Sequence, residues 1–236
     1  MKYFTRSLVV AALLLVAGTA PAAVQPGEDY VLLNPPQPTS GNKIEVLEFF
    51  FYGCSHCYDL HPQLSAWKNT MPKDVELIYV PVPNFQASWE PMARTFYALE
   101  SLGQVNQLHD ALFKAWHVDH VDLRDEAAIT NFVALHGVDR AKFSAAYNSF
   151  TMQSKVVRAK QMVSSYGIRG TPTLVVDGKY VLTGTKQGVV DGERQLVGLA
   201  PADKIRVLNE VIAMARKDHP AAPAEGKPSG KAKAKH

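Results

Sequence analysis

The chain has 236 residues, 47% of them apolar and 20% charged, with a formal net charge of +3; that length suits one large domain or a smaller one carrying an insertion. The positive balance is peripheral. Two of the 25 basic residues are Lys2 and Arg6 and five are lysines of the last twenty positions, so residues 23–216 hold 18 basic against 20 acidic groups. A near-neutral body argues against nucleic acid as the main partner, and two cysteines only three positions apart argue against a disulfide-braced scaffold, because so short a loop restrains the unfolded chain little.

The N-terminus reads as a secretory signal peptide over residues 1–22. Lys2 and Arg6 make a basic start, residues 8–17 an apolar run too short to span a bilayer, and Ala20-Pro21-Ala22 places small residues where a signal peptidase reads. No later stretch is apolar enough to cross a membrane, so the mature protein is expected to be soluble and, in a Gram-negative host, periplasmic.

Residues 23–42, with Pro26, Pro35, Pro36 and Pro38, predict an extended irregular arm. Residues 43–51 are nearly continuously apolar, the pattern of a central strand buried on both faces. Helical spacing follows over 58–70 (Leu60, Leu64, Trp67), and 75–81 predicts a second strand. From 88 to 167 helices succeed one another over 91–101, 105–116, 126–136 and 140–150, then a long segment ending near Tyr166; Phe143, Ala146, Tyr147 and Phe150 illustrate the three- and four-residue spacing. Strands return at 173–176 and 179–182 around Asp177-Gly178, a hairpin turn signal. An amphipathic helix is expected over 203–216, and the Pro, Ala, Gly and Lys composition beyond it predicts a disordered basic tail over 217–236. The organisation expected is an α/β layer unit in two parts, 23–87 and 168–216, around a helical subdomain at 88–167.

Cys54-Ser55-His56-Cys57 stands where the first strong strand passes into a helix. A cysteine at a helix N-terminus meets unpaired backbone N–H groups and the positive end of the macrodipole, which favour its thiolate. One turn further in, Cys57 loses that advantage. Cys54 is therefore expected to meet the substrate and Cys57 to resolve the mixed disulfide. Zinc would need two more ligands, and His117 and His120 are spaced more tightly than usual. Covalent haem attachment would need His where Tyr58 stands, and an inert bridge is the third alternative.

The segment Glu48-Phe49-Phe50-Phe51-Tyr52-Gly53-Cys54-Ser55-His56-Cys57 resembles the active-site strand and helix of the DsbA family of periplasmic disulfide-forming proteins, and Gly167-Ile168-Arg169-Gly170-Thr171-Pro172-Thr173-Leu174 resembles that family's cis-proline loop. The resemblance covers about residues 24–216. It implies a monomeric thioredoxin fold with an inserted helical subdomain, acting as a disulfide donor to exported proteins with free thiols. No cofactor is implied beyond the Cys54–Cys57 redox pair; the implied second partner is a quinone-linked, DsbB-like reoxidase of the inner membrane. By the same analogy His56 helps hold the Cys54 thiolate, Glu48 is a buried acid that passes a proton to or from Cys57, and cis Pro172 presents the backbone of Thr171 to an extended substrate strand. Ser55, His61 and Tyr79 stand where some members carry Pro, an acid and Lys, and Thr171 resembles the residue of disulfide isomerases. A same-fold isomerase or reductase, and a redox-inert chaperone for unfolded exported proteins, are the alternative readings.

Overall fold

A computed structural model describes residues 23–40, 43–190 and 193–218. The elements in chain order are β1 (Tyr30–Leu32), β2 (Ile44–Phe50), α1 (Ser55–Lys68), β3 (Val75–Pro81), α2 (Glu90–Ser101), α3 (Val105–His117), α4 (Glu126–Leu135), α5 (Arg140–Tyr147), α6 (Phe150–Ser165), β4 (Thr173–Val176), β5 (Tyr180–Leu182), β6 (Thr185–Val190), β7 (Glu193–Gly198) and α7 (Pro201–Asp218). The expected signal peptide lies outside the described residues, as does the expected tail beyond Asp218.

Every residue of β2 is buried, which its continuous apolar run requires of a strand covered on both faces. It sits inside a sheet of order β1-β5-β4-β2-β3, parallel to β3 and antiparallel to β4. Side chains alternate across a strand, so Ile44 and Val46 face α1 and α7, packing with Leu60, Leu64, Val207 and Val211. Leu47 and Phe49 face the helical insertion, with Phe96, Leu99, Val163 and Tyr166. The fold is thus a mixed α/β thioredoxin-like unit with helices α2–α6 inserted between β3 and β4.

Four sequence expectations change. The arm at 23–42 contains a strand, because β1 pairs antiparallel with β5 through Tyr30↔Leu182 and Leu32↔Tyr180. Strands β6 and β7, Thr185–Val190 and Glu193–Gly198, pair antiparallel as a separate two-stranded sheet. Phe150 does not end a helix but opens α6 and is 86% exposed; Ser149 breaks the run by capping α6, its side chain accepting from the Met152 N–H. Helix α7 continues to Asp218, whose carboxylate accepts from Lys179 Nζ at 2.6 Å and the Tyr180 hydroxyl at 2.8 Å. The Asp177-Gly178 turn joins β4 to β5 as expected, with φ of 52° and 63°.

Candidate active site

The end of β2 is held by rings. Phe50 lies 5.1 Å, 5.4 Å and 5.3 Å between centroids from Tyr52, Phe96 and His109, and Phe51 stacks on Trp89 at 3.9 Å. Such pairs add about 0.5–1.5 kcal/mol each beyond burial. The Tyr52 hydroxyl is 2.7 Å from His109 Nδ1, and the Tyr52 carbonyl accepts from His117 Nε2 at 2.8 Å. His117 is thereby committed to the backbone just before the cysteines. The chain then turns through Gly53, where a Cβ would stand 2.5 Å from the Phe51 ring and 2.8 Å from Trp116. Only glycine fits so close an approach.

Cys54 is the N-cap of α1, with extended backbone, and the first helical bond runs from the Tyr58 N–H to its carbonyl. Both cysteines are free thiols, Cys54 partly exposed and Cys57 buried. Cys54 Sγ lies 3.2 Å from the carbonyl oxygen of Thr171, to which the thiol donates. Its pKa is lowered to about 5, first by a hydrogen bond from the Cys57 thiol, against the cost of burial, then by the Thr171 side chain and the backbone N–H groups of Cys57 and His56. Burial first, and its bond to Cys54 second, push Cys57 well above the ordinary thiol range. The contribution of His56 to the sulfur is its backbone N–H, while its ring is exposed on the wall of a groove.

Thr171-Pro172 is cis, and both residues line that groove together with His56. Glu48 is 2% exposed, opposite Tyr79 on β3 and Leu174 on β4. Its pKa rises to about 8, chiefly through burial and next through the Cys54 charge, with Lys204 pulling the other way. Sequence reasoning missed Lys204. It stands in the first turn of α7, and its charge acts on Cys57, Cys54, Asp59 and Glu48. The available signal was a cation in the register of a buried stripe, since 204, 207, 208 and 211 share one helix face and the last three are fully buried. Lys68 instead sits over the Tyr79 ring, 5.2 Å from its centroid.

A dithiol at a helix N-terminus, opposed by a cis-proline on one sheet, with two thiol pKa values driven apart, defines a thioredoxin-like thiol–disulfide exchange protein. The family model of the DSBA-like thioredoxin domain matches residues 45–191. The chain belongs to that family and is a DsbA-type disulfide oxidoreductase. It is 38% identical over 216 residues to the thiol:disulfide interchange protein DsbA of Bordetella parapertussis, covering 91% of this chain and 98% of the relative. Identity to DsbA of Pseudomonas aeruginosa is 38% over 181 residues, covering 74% and 85%. The crystal structure of Pseudomonas aeruginosa DsbA superposes with a TM-score of 0.73 at 34% identity, covering 83% of this chain and 96% of that one.

Proposed function

We propose that the protein donates the Cys54–Cys57 disulfide to proteins folding in the periplasm, which it reaches through the signal peptide at 1–22, and that a quinone-linked, DsbB-like membrane protein reoxidises it. The observation that carries the direction is the split between its thiols: Cys54 near pKa 5 and Cys57 raised, one turn apart. A substrate thiolate attacks Cys54 Sγ, and the S–S bond breaks toward Cys57. Cys57 leaves into a buried, apolar setting that disfavours its anion, and Glu48, whose carboxyl burial pushes above the usual carboxylate range, hands it a proton. A second substrate thiolate then attacks its own sulfur in the mixed disulfide and expels Cys54, a good leaving group because its thiolate is stable. The substrate loses two electrons and two protons, and the protein gains the electrons as a dithiol. Thr171 and cis Pro172 lend main-chain pairing to the substrate strand, which makes recognition tolerant of sequence. His56 and the other N–H donors at the start of α1 stabilise the thiolate as it is released.

Equilibrating the protein with glutathione tests this. The dithiol form should predominate even when a large share of the glutathione is oxidised. A pair that stays bridged in excess reduced glutathione would replace the donor reading with a reductase of the same fold.

A further inference from the structure

The groove beside the cis-proline has a volume of about 650 Å³ and a one-sided charge. Arg169, Lys204 and His56 line it, and among the described residues on its wall there is no carboxylate. Its apolar wall includes Val31 and Leu32 on β1, which are 45% and 55% exposed. We propose that this groove selects substrate segments that carry an acidic side chain beside the reacting cysteine, with Arg169 and Lys204 as the specificity-determining residues, and that it holds them more tightly in the disulfide state than in the dithiol state. The inference rests on the donor reading and names its substrate class.

Charge complementarity supports the occupant. An extended strand laid against Thr171 runs its side chains along this wall, and an Asp or Glu there meets cations without a like charge opposing it. The redox dependence follows from the neighbours of Lys204. Its ammonium is half-buried and feels Cys57, Cys54, Asp59 and Glu48. In the dithiol state the Cys54 thiolate balances that charge. In the disulfide state the thiolate is gone from Cys54 Sγ, the atom that stands 3.2 Å from the carbonyl of Thr171, which lines the same groove as Lys204. The oxidised groove is therefore the more electropositive, and an incoming carboxylate, or the attacking substrate thiolate itself, restores the balance. Once Cys54 is released as a thiolate it competes with the bound carboxylate, and product leaves.

The test uses three dithiol peptides differing at one position next to the first cysteine: Glu, Gln or Lys. Their oxidation rates by the oxidised protein are measured at about 0.01 M salt, where the Debye length is about 30 Å, and at about 1 M, where it is about 3 Å. The Glu peptide should outpace the Lys peptide by about fivefold at low salt, the upper end for one exposed charge contact, and by less than about twofold at high salt. Arg169→Gln with Lys204→Gln should abolish the low-salt discrimination. If the Gln peptide is oxidised while the Glu and Lys peptides react alike, the charge preference is wrong and the donor reading stands. If no peptide is oxidised, the donor reading falls and the preference with it. A double variant that keeps the discrimination would overturn the assignment to these two residues. A Glu peptide with Ser for both cysteines should bind the oxidised protein more tightly than the reduced one; equal binding would overturn the redox dependence.

Discussion

Cys54 Sγ and the Thr171 carbonyl oxygen meet at 3.2 Å although 117 positions separate the two residues. The contact joins the start of α1 to the loop before β4, so the reactive sulfur is positioned by both halves of the thioredoxin unit. The donors that lower its pKa come first from Cys57, then from the Thr171 side chain and the backbone N–H groups of Cys57 and His56.

Cys54 should therefore react with iodoacetamide in the reduced protein at pH 6, where a thiol of pKa about 5 is roughly nine-tenths ionised. Cys57, buried and raised, should stay unmodified. Mass mapping of the alkylated cysteine against pH gives the answer, and equal labelling of both cysteines would contradict the division of roles.

The reduced protein should melt above the oxidised protein at neutral pH. Only the dithiol form contains the Cys54 thiolate, whose folded pKa is depressed from 9.0 to about 5. A depressed pKa contributes stability that is full above the unfolded value and is lost as pH falls through the folded one. The gap should accordingly narrow between pH 9 and pH 5. Thermal melts of both redox forms across that range measure it, and an oxidised form that is more stable at pH 7 would remove the thermodynamic basis for donation.

Replacing Glu48 by Gln should stabilise the reduced protein by an amount that grows with pH. The Glu48 pKa rises from 4.5 to about 8 on folding, so the contribution of its proton is fully present below 4.5 and lost as pH climbs toward 8. Gln has no such dependence. The gain should be near zero at pH 4.5 and reach at most about 3 kcal/mol at pH 7. Urea unfolding at four pH values between 4.5 and 8 would show it; a flat difference would mean that Glu48 titrates as an ordinary carboxyl.

Gly53→Ala should destabilise the fold by about 1–3 kcal/mol, the usual cost of overpacking, because the added methyl meets Phe51 and Trp116. Moving those rings also shifts the start of α1, so the alkylation profile of Cys54 should move to higher pH. A variant with unchanged stability and unchanged profile would show that the aromatic wall yields freely.

Much of this was legible. The apolar run of β2, the strand at 75–81 and the Asp177-Gly178 hairpin carry strong local signals, and the cysteine pair follows β2 directly. Glu48 stood out as an acid in an apolar strand. What escaped was set by partners remote in sequence. Strand β1 lies in a Pro-rich arm and exists through its pairing with β5. Strands β6 and β7 flank a second Asp-Gly, Asp191-Gly192, but the segments around it hold too many polar residues to read as buried strands. Lys204 gains its meaning only from the packing of α7 against α1 and the sheet.

The insertion between β3 and β4 also sets when the protein becomes reactive. Cys54 is synthesised early, while Thr171 and Lys204 follow only after the whole helical region. Until that long loop closes, with its entropic cost, Cys54 lacks the Thr171 contact, one of the interactions that lower its pKa. The full acidity of the thiol is thus a property of the finished molecule rather than of the active-site helix alone.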